Sequence, residues 1–227
     1  MKHQISNISK IKFDKYANLI ELNLNNCKNI KDYSFISKIE KLENLYLRDT
    51  NISDFSFLEK NINIKELNLY GFKNVKDYSF ISKLEKLEKI NLSDTNICDI
   101  SFLEKNMNIK ELYLDICKNI KDYSIISKFE KLEILCLKDT NISDISFLEK
   151  NINIKQLYLG GSKKIKDYSF ISKLEKLEKI KLSDTNICDI SFIEKNINIK
   201  ELDLGNCKKI KDYSFISKLE KLEKNKS

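Results

Sequence analysis

The 227-residue chain has no proline, no tryptophan, only 4 glycines and a single histidine. Average usage would supply roughly 7% glycine and 5% proline, so collagen-like, proline-rich and tight-hairpin all-β architectures lack their punctuation residues. Asn and Asp must make the turns instead. With His3 alone, most His-dependent catalysis is excluded. The six cysteines form no CxxC pair, and a terminal histidine cannot complete a zinc site around them. Of the 41 basic residues only Arg48 is arginine, a poor inventory for bidentate phosphate or base recognition. The stretch from Met1 to Ile20 is broken by Lys2, Lys10, Lys12 and Lys15, which leaves no apolar run for a signal-peptide core or a membrane span. The expectation is a cytoplasmic protein with reduced thiols.

What is present is repetition. At 41% hydrophobic and 33% charged the chain can bury a core, and its apolar residues recur with a strict period. Lys-Asp-Tyr-Ser begins at Lys31, Lys76, Lys121, Lys166 and Lys211; Asn-Ile-(Ser/Cys)-Asp begins at Asn51, Asn96, Asn141 and Asn186; both keep a 45-residue period. Each 45-residue unit holds two versions of Leu-x-x-Leu-x-Leu-x-x-(Cys/Thr), one in a 23-residue repeat and the next in a 22-residue repeat, in strict alternation. Nine copies run from Leu19, and a truncated tenth opens at Leu222. Leu67 and Leu69 alternate with Glu66, Asn68 and Tyr70, the period-2 pattern of a strand with one apolar face. One copy cannot bury its own leucines, but parallel strands stacked about 4.8 Å apart share a continuous core.

Leu19-Ile-Glu-Leu22-Asn-Leu24-Asn-Asn-Cys27 and Leu42-Glu-Asn-Leu45-Tyr-Leu47-Arg-Asp-Thr50 resemble leucine-rich repeats. The 22-residue period, with Ile142-Ser-Asp-Ile-Ser-Phe-Leu148 after the strand, is similar to the internalin-like and phosphatase-regulator-like subclass, with Phe57, Phe102, Phe147 and Phe192 where internalin-type repeats often carry Pro. The resemblance implies an α/β fold: a leucine-rich repeat solenoid, a curved right-handed coil of parallel strands with short convex helices. Residues 1–18 read as a degenerate half-repeat or cap, 19–221 as the nine repeats, and 222–227 as the truncated tenth or the C-terminal end. The chain is either a fragment or is capped by its last helix.

The return segments carry further expectations. Ser56-Phe-Leu-Glu59 and its equivalents place Ser and Glu three apart, the spacing of a capping box. Asn61, Asn106, Asn151 and Asn196 stand where a left-handed residue would end the helix. Phe80, Ile81, Leu84 and Leu87 mark one helical face. The repeated Asp (Asp32, Asp54, Asp77 and onward) invites a metal or acid-catalysis reading, but Asp two residues before Ser fits an Asx turn that starts a helix. Cys27, Cys117 and Cys207 take the inward ladder position as small buried hydrophobes. Cys98 precedes Cys117 by the same interval as Cys188 precedes Cys207, so a disulfide between adjacent turns and simple duplication of a 90-residue block both explain the pairing. Cys136 is the one cysteine placed on the open face, without a base to activate it.

Candidate contact residues lie at the outward strand positions, because the family generally binds partners on its concave face. Tyr46, Tyr70, Tyr113 and Tyr158 break the repeat consensus there, and with Arg48 they form the residue mix enriched at binding hot spots; the alternative is that they are tolerated β-formers. Asp115 and Asp203 complete the candidate set. Six outward acids face five bases, and Asp49, Asp94, Asp139 and Asp184 at the next position raise the acids to ten, so the face is expected to be acidic although the chain carries a formal charge of +7. The Lys-Leu-Glu-Lys runs read as solvated, mutually paired surface. Together these features indicate a non-catalytic module that binds a protein partner on the concave sheet face, with no cofactor, no metal and no small-molecule substrate. The alternatives are a fragment or regulatory part of a larger enzyme or effector, and Lys-mediated nucleic-acid binding. Composition argues against nucleic acid and membrane as partners; submicromolar affinity for a generic duplex at physiological salt would reverse that for nucleic acid.

Overall fold

The computed structural model describes residues 17–223. The cap expected over residues 1–18 and the end expected over 222–227 therefore lie largely outside the described residues. Nine three-residue strands follow in chain order: β1 (Glu21–Asn23), β2 (Asn44–Tyr46), β3 (Glu66–Asn68), β4 (Lys89–Asn91), β5 (Glu111–Tyr113), β6 (Ile134–Cys136), β7 (Gln156–Tyr158), β8 (Lys179–Lys181) and β9 (Glu201–Asp203). They form one parallel sheet in which every strand pairs with its neighbours in sequence. The register keeps the middle apolar residue in line, Leu22 with Leu45, Leu67 and Ile90. Leucine columns thus fuse into one core: Leu45, Leu47, Leu67 and Leu69 are fully buried, each stabilising the fold by about 2 kcal/mol relative to exposure.

The strands are short because the chain turns sharply three residues beyond each of them. One residue per repeat has positive φ, from Asn26 and Asp49 to Asp184 and Asn206. Eight of these nine are Asn, Asp or Gly, the types that tolerate that conformation; Ile116, at φ 65°, is the exception. With so little glycine, short polar side chains supply the turn chemistry, as the composition required.

The return segments are single 3-10 turns of five residues, such as Ser34–Lys38, Ser56–Lys60 and Ser79–Lys83, nine among the described residues. The expected Asx turns form in every repeat: the Asp accepts a hydrogen bond from the backbone N–H of the Ser two residues on, at 2.8–2.9 Å. Those bonds hold the carboxyls of Asp32 and Asp77 below the ordinary carboxylate value. The expected capping boxes do not form. Ser56 begins the 3-10 turn, its cap carries no side-chain hydrogen bond, and Asp54 takes the capping role instead. The helical face expected from Phe80 to Leu87 shrinks to one turn, because Leu84 already leaves helical geometry at φ −91°, ψ 61°.

The asparagines also correct an expectation. Asn61 has φ −90° and ψ 48°, not a left-handed conformation, and it is fully buried. Its Nδ2 reaches back into the preceding repeat and donates to the carbonyls of Ile36 (3.1 Å) and Ile39 (2.9 Å). Asn106, Asn151 and Asn196 do the same. At the rims of the same repeats, Asn51 donates to Lys28 O and Asn63 to Glu40 O. Asn residues of each 22-residue repeat therefore clip it to the 23-residue repeat before it.

Candidate functional site

The outward residues of β1 to β9 form an open face, and side chains at one register position stand side by side along the sheet. Toward its N-terminal end, Tyr46 on β2 neighbours Glu66; burial, reinforced by that carboxylate, pushes its hydroxyl up to about 12. The Arg48 guanidinium lies over the Tyr70 ring at 4.4 Å from the centroid, a cation–π contact of about 0.5–1 kcal/mol at an exposed site. Next comes a charged cluster: Lys89 reaches Glu66 at 3.1 Å and Glu111 at 3.4 Å. Burial disfavours the Lys89 ammonium, but the two carboxylates outweigh it and raise its pKa.

The centre of the face is apolar. β6 is the strand with Ile134 and Cys136 at both outward positions, and its register sets Cys136 between Tyr113 of β5 and Tyr158 of β7. The Tyr113 hydroxyl donates to Glu111 Oε2 at 2.7 Å and the Tyr158 hydroxyl to Gln156 Oε1 at 2.8 Å. Each bond lies along its own strand and holds the ring beside Cys136. Cys136 is on the face as expected but only 6% exposed, because the two rings close over it. Burial then pushes its thiol well above the ordinary value, the opposite of what a nucleophile needs.

Asp115 borders this centre. Its Oδ1 accepts the Lys138 backbone N–H at 2.8 Å, yet burial raises its pKa. Asp203 lies apart on β9, where its Oδ1 accepts the Gly205 N–H at 2.9 Å. Asn68 and Asn91 make the same strand-end bond, so this contact of Asp203 is local. Beside it Glu201 pairs with Lys179 at 2.5 Å and with Lys181. The structure thus brings Tyr46, Arg48 and Tyr70 into one group and Tyr113, Asp115 and Tyr158 into a second, and leaves Asp203 outside both. Ile134 and the residues of the two ion clusters were expected at outward positions but were not singled out as contacts; the signal for Ile134 was a strand with no polar outward residue.

Pairing leaves the count of outward charges unchanged, because Lys89, Lys179 and Lys181 are already among its five bases, but it sets acids against bases across the strands. Glu66, Glu111 and Glu201 are neutralised by lysines in the same columns. Asp49, Asp94, Asp139 and Asp184 occupy the left-handed turns at the rim, where Asp49 pairs with Arg48 and Asp94 with Lys73, both at 3.0 Å. All six cysteines are free thiols; Cys117 and Cys207 are buried on the ladder with sulfurs against Leu92 O and Leu182 O, whereas Cys98 and Cys188 are exposed. Among the described residues no group of three His, Cys, Asp or Glu is placed to hold a metal ion, and no helix is long and apolar enough to cross a membrane.

No family model matches the sequence, and no curated protein does. Solved structures match the fold. An internalin (inlF) from Listeria monocytogenes superposes with a TM-score of 0.84 at 24% identity, covering 93% of this chain and 61% of that one. Internalin C2 (inlC2) from the same species gives 0.78 at 25% identity, covering 86% and 84%. A leucine-rich repeat protein from Leptospira interrogans gives 0.77 at 22%, covering 88% and 52%. The chain therefore spans less than two thirds of the first and third of these structures. With nine parallel strands in register, one to each 22- or 23-residue repeat, the chain folds as a leucine-rich repeat solenoid similar to that of the internalins.

Proposed function

We propose that this chain is a non-catalytic protein-binding module whose partner rests on the open face of the sheet, centred on β5 to β7. The observation that carries this reading is the apolar centre, Cys136 between Tyr113 and Tyr158 with Ile134 beside it on β6 between Glu111 and Gln156, bordered by the charged clusters around Lys89 and Glu201. An apolar centre inside a polar rim is the usual anatomy of a protein interface, with aromatic anchors near its middle. Inward positions repeat to build the core while outward positions vary, which separates stability from recognition. The site chemistry agrees: the buried thiol is held protonated, and the two tyrosine hydroxyls are engaged along their own strands.

Affinity capture followed by mass spectrometry tests the reading by comparing the wild type with a variant carrying Tyr46, Tyr70, Tyr113 and Tyr158 changed to Ala. A partner held by the wild type and lost by the variant is expected. A partner retained equally by both discards the open face as the contact surface.

A further inference from the structure

A second surface lies on the rim where the chain descends into each strand. Four of the large exposed apolar side chains of the molecule occupy one position of the repeat there: Ile62 (54% exposed), Met107 (44%), Ile152 (55%) and Ile197 (59%). They recur with the 45-residue period, two strands apart, which is roughly 9.6 Å. The equivalent position of the intervening repeats holds Glu40, Glu85, Glu130, Glu175 and Glu220, all exposed. Three residues further on, Glu43, Glu88, Glu133 and Glu178 are consumed by Lys65, Lys110, Lys155 and Lys200. The five rim glutamates form no such ion pair among the described residues, and neither do Lys60, Lys105, Lys150 and Lys195, which stand two residues before the apolar knobs.

The geometry points to a second copy of this chain as the occupant of this rim. Commensurability selects it. A helix offering every seventh residue advances about 10.5 Å per knob and drifts out of step by about 1 Å each time. A strand offering every third residue advances about 10 Å but alternates faces. Another copy has the same period by construction. Two copies related by a two-fold axis run antiparallel, and an offset of one repeat places each knob opposite a glutamate-bearing repeat. The two apolar files then interleave at roughly 4.8 Å steps. The unpaired lysine beside each knob meets the unpaired glutamate of the other copy, so apolar and charged elements are satisfied together. A strip about 40 Å long reaches the roughly 800 Å² per partner of a stable interface at a width of about 20 Å. This surface is separate from the open face of the sheet and does not depend on the function proposed for it.

Sedimentation equilibrium over the micromolar range tests it, with circular dichroism as the check on folding. The wild type is expected to dimerise, more weakly at high salt, and the Ile62→Glu/Ile152→Glu variant to remain monomeric with an unchanged spectrum. Two charge-reversed variants give an arm that does not rely on removing apolar groups. One changes Lys60, Lys105, Lys150 and Lys195 to Glu; the other changes Glu40, Glu85, Glu130, Glu175 and Glu220 to Lys. Each should be monomeric alone, and the two should associate when mixed. A wild type that stays monomeric throughout, a dimer that survives Ile62→Glu/Ile152→Glu, or reversed variants that ignore one another would overturn the proposal.

Discussion

The 22-residue and 23-residue repeats share a strand, a left-handed turn residue, an Asx turn and a 3-10 turn, but they are joined to their predecessors differently. After its 3-10 turn each 22-residue repeat has a buried Asn (Asn61, Asn106, Asn151 or Asn196) whose amide reaches two carbonyls of the repeat before it. The 23-residue repeats place Leu84, Phe129 or Leu174 there and fill the same space with hydrocarbon. Their junctions to the preceding repeat carry exposed side-chain pairs, Lys83 with Glu59 and Lys86 with Asn63. A solenoid behaves as a sum of units and nearest-neighbour interfaces, and here the interfaces alternate. The two-bond asparagine clip is confined to the junction within a 45-residue pair; the pairs are joined by the strand ladder, by single buried bonds such as Ser162 Oγ to Leu137 O, and by packing and surface contacts.

The largest test of that difference gives a 22-residue repeat the residue of its neighbour. Asn106→Leu removes two donors, while Ile81 O and Leu84 O keep their backbone bonds from Leu84 N and Leu87 N. A loss of about 2 kcal/mol in urea unfolding is expected, roughly 1 kcal/mol per hydrogen bond; no loss would mean that the clip contributes nothing beyond packing. Next in size is the 23-residue repeat that departs from the turn rule. Ile116, β-branched at φ 65°, should be relieved by Ile116→Asn, which is expected to stabilise the chain by about 1 kcal/mol in the same measurement. The exposed clip is smaller: Asn96→Ala loses the bond to Lys73 O and should cost about 0.5 kcal/mol.

The smallest effects belong to the feature that both kinds of repeat share. Asp77 in a 23-residue repeat and Asp99 in a 22-residue repeat have carboxyls depressed by their Ser partners, below the ordinary value of 3.8. The unfolded chain therefore binds more protons than the folded one in acid. The stability these groups contribute is fully present above the unfolded pKa and is lost as pH falls through the folded one. Urea midpoints should drop below roughly pH 4. Asp77→Asn and Asp99→Asn should flatten that dependence equally, whereas flattening by one alone would show that the turns differ between the two repeats.

The strand register, the inward leucines and the Asx turns were legible because each follows from local spacing that recurs nine times. The 3-10 turns were not, since Ser-Phe-Leu-Glu satisfies the spacing of a capping box whether or not an α-helix has room to form. The asparagine clip was hidden for a different reason: its acceptors lie 22 and 25 positions earlier, and a buried Asn looks like a turn residue until its neighbours are placed. In the site, the tyrosines stood out against the repeat consensus. Cys136 was placed on the right face, but its burial depends on two rings from other strands. Asp203 carried a suggestive charge and is engaged in holding its own strand end.

Sequence alone determined the solenoid and which side chains face inward, because a short fixed repeat with alternating leucines has one way to bury its apolar surface. Tertiary structure decided what stands beside what across repeats: the amide clips within each pair, the ring-covered thiol and the paired carboxylates of the open face. Those are relations between side chains a whole repeat apart in the chain, and their strength depends on burial and on the alignment of donor with acceptor, quantities that exist only once the turns are stacked.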